Sequence, residues 1–195
     1  MQQTAKQAGV HIVTGDTKVV DKGKGDGLFI NTAGIGLIPE EVSIQASSIQ
    51  TGDHIIINSD LARHGIAIML EREGIDFENS IQSDCDDLSG LVQDMINAGL
   101  HPHCMRDLTR GGLASGLIEL ASASKYHFEI NETLLPIQDD VKSACEILGF
   151  DPLYIANEGC FVLFVAEADS EKVLNCLRQH ELGKQACIIG KVTDK

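Results

Sequence analysis

From residue 54 onward, short apolar strands and amphipathic helices follow one another, and this succession limits what the chain can fold into. Residues 54–58 and 186–189 read as short strands, and 160–166 is apolar throughout. Residues 128–130 and 153–156 read as two more extended pieces. Helices are predicted over 61–73, 88–98, 113–124 and 137–148, and for a segment bearing Val173, Leu174 and Leu177 that Ser170 would cap. The clearest of them carries Leu88, Leu91, Val92, Met95 and Ile96 on one face. The predicted order is βα, α, α, β, α, β, β, α, β. It implies an α+β, or α/β layered, fold with a mixed sheet and flanking helices.

The first 45 residues read differently. Residues 1–8 suit a helix that Gly9 ends. Residues 10–13 and 28–38 read as β segments, with a turn at 22–27, and have few partners in the rest of the sequence. A domain boundary is placed near residue 45. The final residues, 191–195, are expected to form no closing element, and the chain reads as part of a longer protein cut at both ends.

Charge and cysteine use narrow the function classes. The 195 residues carry a formal net charge of −14, which argues against a general nucleic-acid binder. The acidic group at Asp84, Asp86 and Asp87 reads as solvated surface or as a helix start. Six cysteines occur without C-x-x-C spacing and read as reduced core residues in the cytosol. His101, His103 and Cys104 lie close in sequence, but three donors within four residues are weak support for a metal. The sequence holds no apolar run long enough to cross a membrane.

Two motifs carry polar chemistry. In 103–120, HCMRDLTRGGLASGLIEL, a charged glycine-rich turn opens into a helix. It suits an anion cradle with Arg106, Arg110, Gly111 and Gly112, or a plain loop with Thr109 as N-cap. Arg106 and Arg110 offer forks for phosphate, and Asp107 could hold one of them or pair with Arg106 structurally. In 14–18, Asp16, Thr17 and Lys18 offer a metal ligand, a hydroxyl and a cation, or form an ordinary turn. His64, at the start of the second helical stretch, reads as a capping or packing histidine.

The chain resembles the HypE family of hydrogenase maturation factors, within the ATP-binding superfamily of aminoimidazole ribonucleotide synthetase and selenophosphate synthetase. The resemblance rests on VTGDTKVV (13–20), DGLFINTAGIG (26–36), GDHIIINS (52–59), HGIAIMLERE (64–73), MRDLTRGGLASGLIELA (105–121) and CEILGFDPLYIANEG (145–159). It implies that residues 1–45 are the tail of an N-terminal ATP-binding domain that dimerises through a β-barrel. Residues 46–195 would be most of a C-terminal α/β domain. The early ATP- and magnesium-binding motifs and a C-terminal cysteine tail would lie outside this stretch.

The activity implied is ATP-dependent dehydration of a carboxamide on that cysteine sulfur, giving a thiocyanate for the cyanide ligands of NiFe hydrogenase. The implied cofactors are ATP and Mg2+. The implied partners are the carbamoyltransferase HypF, the HypC–HypD scaffold and a second copy of the protein. By the same resemblance Lys18 and Glu158 are tied to the dehydration. Lys18 would stabilise negative charge, and Glu158, desolvated in a turn between apolar strands, would act as base. Without the resemblance, Glu158 reads as a turn residue. Asp16 and Thr17 would contact metal and phosphate, and Asn157 would position the carboxamide. The alternatives are another ATP-using member of the superfamily that acts on a small molecule, or a non-catalytic docking domain.

Overall fold

A computed structural model describes residues 1–25, 27–75 and 81–194. Asp26, which falls in the turn at 22–27 and opens the segment 26–36, and Lys195 lie outside the described residues. The chain divides into two units, Met1–Val42 and Ser43–Lys195.

The first unit contains one helix, α1 (Gln2–Gln7), and no strand among its described residues. The β segments expected at 10–13 and 28–38 therefore do not form within this unit. A strand needs a hydrogen-bonded neighbour, and the unit supplies none. Apolar side chains stay exposed as a result, among them Val13, Val19, Leu28, Ile35 and Leu37.

The second unit is built on five strands: β1 (His54–Ile57), β2 (Cys104–Asp107), β3 (His127–Ile130), β4 (Phe161–Val165) and β5 (Cys187–Thr193). Their order across the sheet is β2-β4-β1-β5-β3. All four pairings are antiparallel, so the sheet is not the mixed one expected. The expectation assumed a parallel crossover, whereas each strand here meets its neighbours from the opposite direction.

The helices are α2 (Arg63–Glu73), α3 (Ser89–Asn97), α4 (Gly112–Ser124), α5 (Asp139–Leu148) and α6 (Glu167–Leu177). They cover both faces of the sheet, which explains why β4 and the last three residues of β1 are apolar throughout instead of alternating. Ile55, Ile57, Val162 and Phe164 pack with Ile66 and Leu70 of α2, Leu113, Leu117 and Leu120 of α4, and Val141 and Ala144 of α5. Their alternates Ile56, Phe161, Leu163 and Val165 pack with Leu91 and Met95 of α3 and Val173, Leu174 and Leu177 of α6. The α+β layered architecture is thus observed, with three helices on one face and two on the other.

Local sequence accounts for most boundaries. Gly74 and Gly149 end α2 and α5 in the left-handed conformation. Asp87 accepts a hydrogen bond from the Ser89 amide at the start of α3, and its bonds to Ser89 hold its carboxyl below the usual range. Four local expectations fail. Residues 104–107 form a strand where a turn was expected, because they pair with β4. Residues 152–154 form a single 3-10 turn where a strand was expected, capped by the Asp151 side chain. Ser170 lies inside α6, donating to the Glu167 carbonyl, and caps nothing. Residues 191–193 are the end of β5, paired with both β1 and β3, although no closing element was expected there. No helix among the described residues is long and apolar enough to cross a membrane.

Candidate functional site

Three sequence motifs meet at one bend, Asn157-Glu158-Gly159, just before β4. The strand β2 pairs with β4 from Cys104↔Phe164 to Asp107↔Phe161, and the Leu108 amide extends this contact by donating to the Cys160 carbonyl at 3.2 Å. Leu108 is therefore fixed beside the bend. Its carbonyl accepts the Asn157 amide and the Asn157 Nδ2, both at 3.0 Å. Asn157 Nδ2 also donates to the Ile155 carbonyl at 3.1 Å, and Oδ1 accepts the Ala62 amide at 2.7 Å.

Ala62 is the residue before α2 and holds φ 72°, a left-handed backbone that alanine rarely adopts. The fully buried Asn157 side chain thus ties the entry of α2, the end of β2 and its own bend into one unit. Both sides of its amide are used within the protein. Asn157 thus holds the site together through bonds within the protein. Replacing it with alanine removes the side-chain partners of the buried Ala62 N–H and the Ile155 carbonyl, while the Leu108 carbonyl keeps the residue-157 amide, and is expected to cost about 2–4 kcal/mol in urea unfolding. The isosteric Asn157→Asp change is expected to cost a similar amount, because it sets a carboxylate oxygen against two carbonyl oxygens.

Glu158 follows in the bend. Its amide donates to Oδ1 of Asp84 at 3.1 Å, and Asp84 is buried. Asp84 is therefore not the solvated surface group expected, and its Oδ2 has no hydrogen-bond partner among the described residues. Gly159 is required by the same contact, since a Cβ there would stand 1.9 Å from the Asp84 carbonyl oxygen. The Glu158 side chain is 39% exposed, so its carboxylate faces outward and is not enclosed between apolar strands as expected. The apolar neighbours Ile155 and Cys160 are buried on either side, and only the segment after the bend is a strand.

One side chain faces that carboxylate. His64 Nε2 lies 4.0 Å from Glu158 Oε1, and His64 Nδ1 lies 2.9 Å from Ser83 Oγ. Beside it, Arg63 pairs with the buried Asp60 across 2.9 Å. Sequence reasoning treated His64 as a packing residue and passed over Ser83. The signal that could have found them is the position of His64 in the first turn of α2, next to the Asn157 clamp.

The 103–120 motif divides its roles. Arg106 pairs with Glu119 of α4, so its guanidinium ties β2 to α4, and no ion pair of Asp107 occurs among the described residues. Asp107 accepts from Thr109 Oγ1 at 2.9 Å, and Thr109 does not cap α4. Gly111 occupies the cap position with φ 76° and no side-chain cap. Gly112, with φ 60°, packs directly against the backbone of residues 153–155. Arg110 is exposed and makes no ion pair among the described residues.

In the first unit, Asp16 Oδ1 accepts the Thr17 amide at 2.8 Å, and Asp16, Thr17 and Lys18 are all exposed. No group of three or more His, Cys, Asp or Glu side chains placed to hold a metal occurs among the described residues. His103 instead pairs with the buried Asp53 at 2.8 Å.

The cysteines are core residues in the main. Burial pushes the thiols of Cys104, Cys145, Cys160, Cys176 and Cys187 up from their ordinary value, most strongly for Cys160. Cys85 is exposed. A disulfide-exchange reagent near neutral pH is expected to label Cys85 first, and Cys160 only once the chain unfolds, as read by peptide mass mapping.

Comparison with known proteins follows the same residues. The family described as AIR synthase related protein, C-terminal domain, matches residues 50–195. Carbamoyl dehydratase HypE of Rhizobium leguminosarum bv. viciae is 46% identical over 193 residues, 98% of this chain and 55% of that protein. A crystal structure of a HypE–HypF complex matches with a TM-score of 0.96 and 43% identity, over 100% of this chain and 64% of that one. A structure of HypE in complex with ATP matches with a TM-score of 0.95 and 39% identity, over 98% of this chain and 57% of that one. The chain thus spans little more than half the length of such curated relatives.

Proposed function

The chain belongs to the family of AIR synthase related proteins, and on that footing we propose that it serves an ATP-dependent carbamoyl dehydratase of NiFe hydrogenase maturation. Residues 1–45 belong in this reading to the tail of an ATP-binding domain, and 46–195 to the C-terminal α/β domain. The observation that carries the reading is the bend at 157–159. A half-exposed carboxylate is held there by a buried asparagine clamp and a buried aspartate, in a chain similar throughout to HypE proteins.

The substrate is a carboxamide carried on a cysteine sulfur. Its oxygen leaves once it accepts the γ-phosphoryl group of ATP, and its nitrogen must give up both protons. Glu158 takes those protons, and the outward face of the bend leaves room for the substrate tail. Lys18 offsets the negative charge that develops on the phosphorylated oxygen. The uncapped start of α4, with Gly111, Gly112 and the unpaired Arg110, presents donors to a phosphate group. Asp16 supplies one carboxylate oxygen, with Thr17 beside it. One carboxylate suits Mg2+, which keeps several waters and takes its other ligands from phosphates; the ion would screen charge on the nucleotide.

The partners in this reading are HypF, which delivers the carbamoyl group, and the HypC–HypD complex, which receives the cyanide. The assembly is a homodimer and works in the cytosol. The test uses a protein of the relatives' full length that contains this chain, with its terminal cysteine carbamoylated. Adding ATP is expected to release ADP and phosphate together with the mass of one water from the protein. ATP consumption with no such mass loss would overturn the reading.

A further inference from the structure

We propose that His64 is a positioning residue for the dehydration, the group that clears the proton from Glu158 between its two deprotonations. The inference rests on Glu158 being the base. A nitrile forms from a carboxamide only after two protons leave one nitrogen, and a single carboxylate holds one of them. The base must be emptied midway, and His64 Nε2, 4.0 Å from Glu158 Oε1, is the side-chain nitrogen that faces it.

The other ring nitrogen decides whether His64 can accept. Ser83 Oγ accepts the Cys85 amide at 3.1 Å and lies 2.9 Å from His64 Nδ1. The hydroxyl oxygen has two lone pairs, one used by Cys85 and one open to an Nδ1–H donor. In this proposal the neutral ring's proton is on Nδ1, donated to Ser83 Oγ, which leaves the lone pair of Nε2 directed at Glu158. Among the described residues, charged groups near His64 include Arg63, paired with Asp60 at the entry of α2, and Asp84, bonded to the Glu158 amide. The 4.0 Å gap exceeds a hydrogen bond and closes by a small rotation of the Glu158 side chain, as catalytic contacts commonly tighten when substrate binds.

The protons balance. In the first step Glu158 takes one N–H proton as the amide oxygen attacks the γ-phosphorus of ATP and ADP leaves. Glu158 passes this proton to Nε2, giving an imidazolium still bonded through Nδ1 to Ser83. In the second step Glu158 takes the remaining N–H proton. The nitrogen electron pair completes the C≡N bond while the C–O bond to phosphate breaks, and the imidazolium returns its proton to solvent.

The test compares His64→Ala with the parent in single-turnover nitrile formation by the carbamoylated full-length protein. The rate is expected to fall by tenfold or more, with the ATP KM unchanged and with partial rescue by free imidazole, which can reach the 24% exposed His64 position. A normal rate, or a loss that imidazole does not rescue, would overturn the proposal. Nitrogen-15 NMR of the full-length protein is expected to show the Nδ1–H tautomer for His64, and an Nε2–H tautomer would overturn it. Glu158→Gln runs in the same assay. If it forms nitrile normally, the assignment of the base has failed. If it is inactive while His64→Ala is normal, this inference alone has failed.

Discussion

Glu158→Gln is expected to slow nitrile formation by about two to four orders of magnitude while ATP binding stays within about twofold of the parent. Glutamine keeps the size and polarity of the side chain and removes only its capacity to take a proton. The fold does not depend on the carboxylate. The bend is held through the Glu158 amide by Asp84, and through Asn157 by Ala62, Leu108 and Ile155. Thermal unfolding of the variant is therefore expected to match the parent. Stopped-flow measurement of the step, together with nucleotide titration, checks both halves. A parallel loss of nucleotide binding would mean that Glu158 acts on ATP and not on the carboxamide.

Gly112→Ala is expected to lower stability by roughly 2–5 kcal/mol, the sum of a left-handed backbone penalty and a backbone clash. At φ 60°, an alanine Cβ would lie 2.5 Å from the Leu153 carbonyl oxygen and 2.6 Å from that of Ile155. Neither atom can turn aside, because both belong to the backbone that leads into Asn157. The start of α4 must withdraw from this segment, and the bend loses its support. Gly111→Ala is the control. Its backbone is also left-handed, at φ 76°, and its new Cβ would meet Ser115 Oγ at 2.2 Å, which a rotamer change relieves, and Ser115 Cβ at 2.6 Å, which moves only with the first turn of its own helix. It is expected to cost less than Gly112→Ala, because no distant backbone is struck. Equal losses in chemical denaturation would show that the close approach of Gly112 to residues 153–155 is not what requires glycine.

The contrast between these glycines indicates what the sequence could reveal. Gly111 and Gly112 were legible as a tight turn entering a helix, and the helix is there. The reason for Gly112 was not, because it lies in contact with residues some forty positions away. The layered α+β architecture was readable from apolar periodicity, which reports local structure and burial directly. The strand at Cys104–Asp107 was hidden by its charge: Arg106 and Asp107 lie at a sheet edge, where only pairing with β4 makes the segment extended. Asp84 was misread for the opposite reason, since an acidic run looks solvated until a backbone amide is found against one member of it.

At the site, residue chemistry was legible and residue duty was not. Glu158 was nominated by resemblance, and its surroundings suit a base that faces outward. Asn157 and Arg106 looked like ligand contacts because amides and guanidiniums often are. In the structure Asn157 is bonded to Ala62, Leu108 and Ile155, and Arg106 is paired through one guanidinium nitrogen with Glu119. His64 was read as a capping or packing residue and Ser83 was passed over, because the contacts Ser83–His64 and His64–Glu158 join three separate segments of chain.

In the proposed function Glu158 and Lys18 remove water from a carboxamide at the expense of ATP. Infrared spectroscopy of a single turnover tests it most directly, because a nitrile absorbs where proteins do not. The carbamoylated full-length protein is expected to develop the nitrile band after ATP is added, and Glu158→Gln and Lys18→Ala are expected to bind ATP without developing it. A nitrile band that grows in both variants at the parental rate would contradict the account.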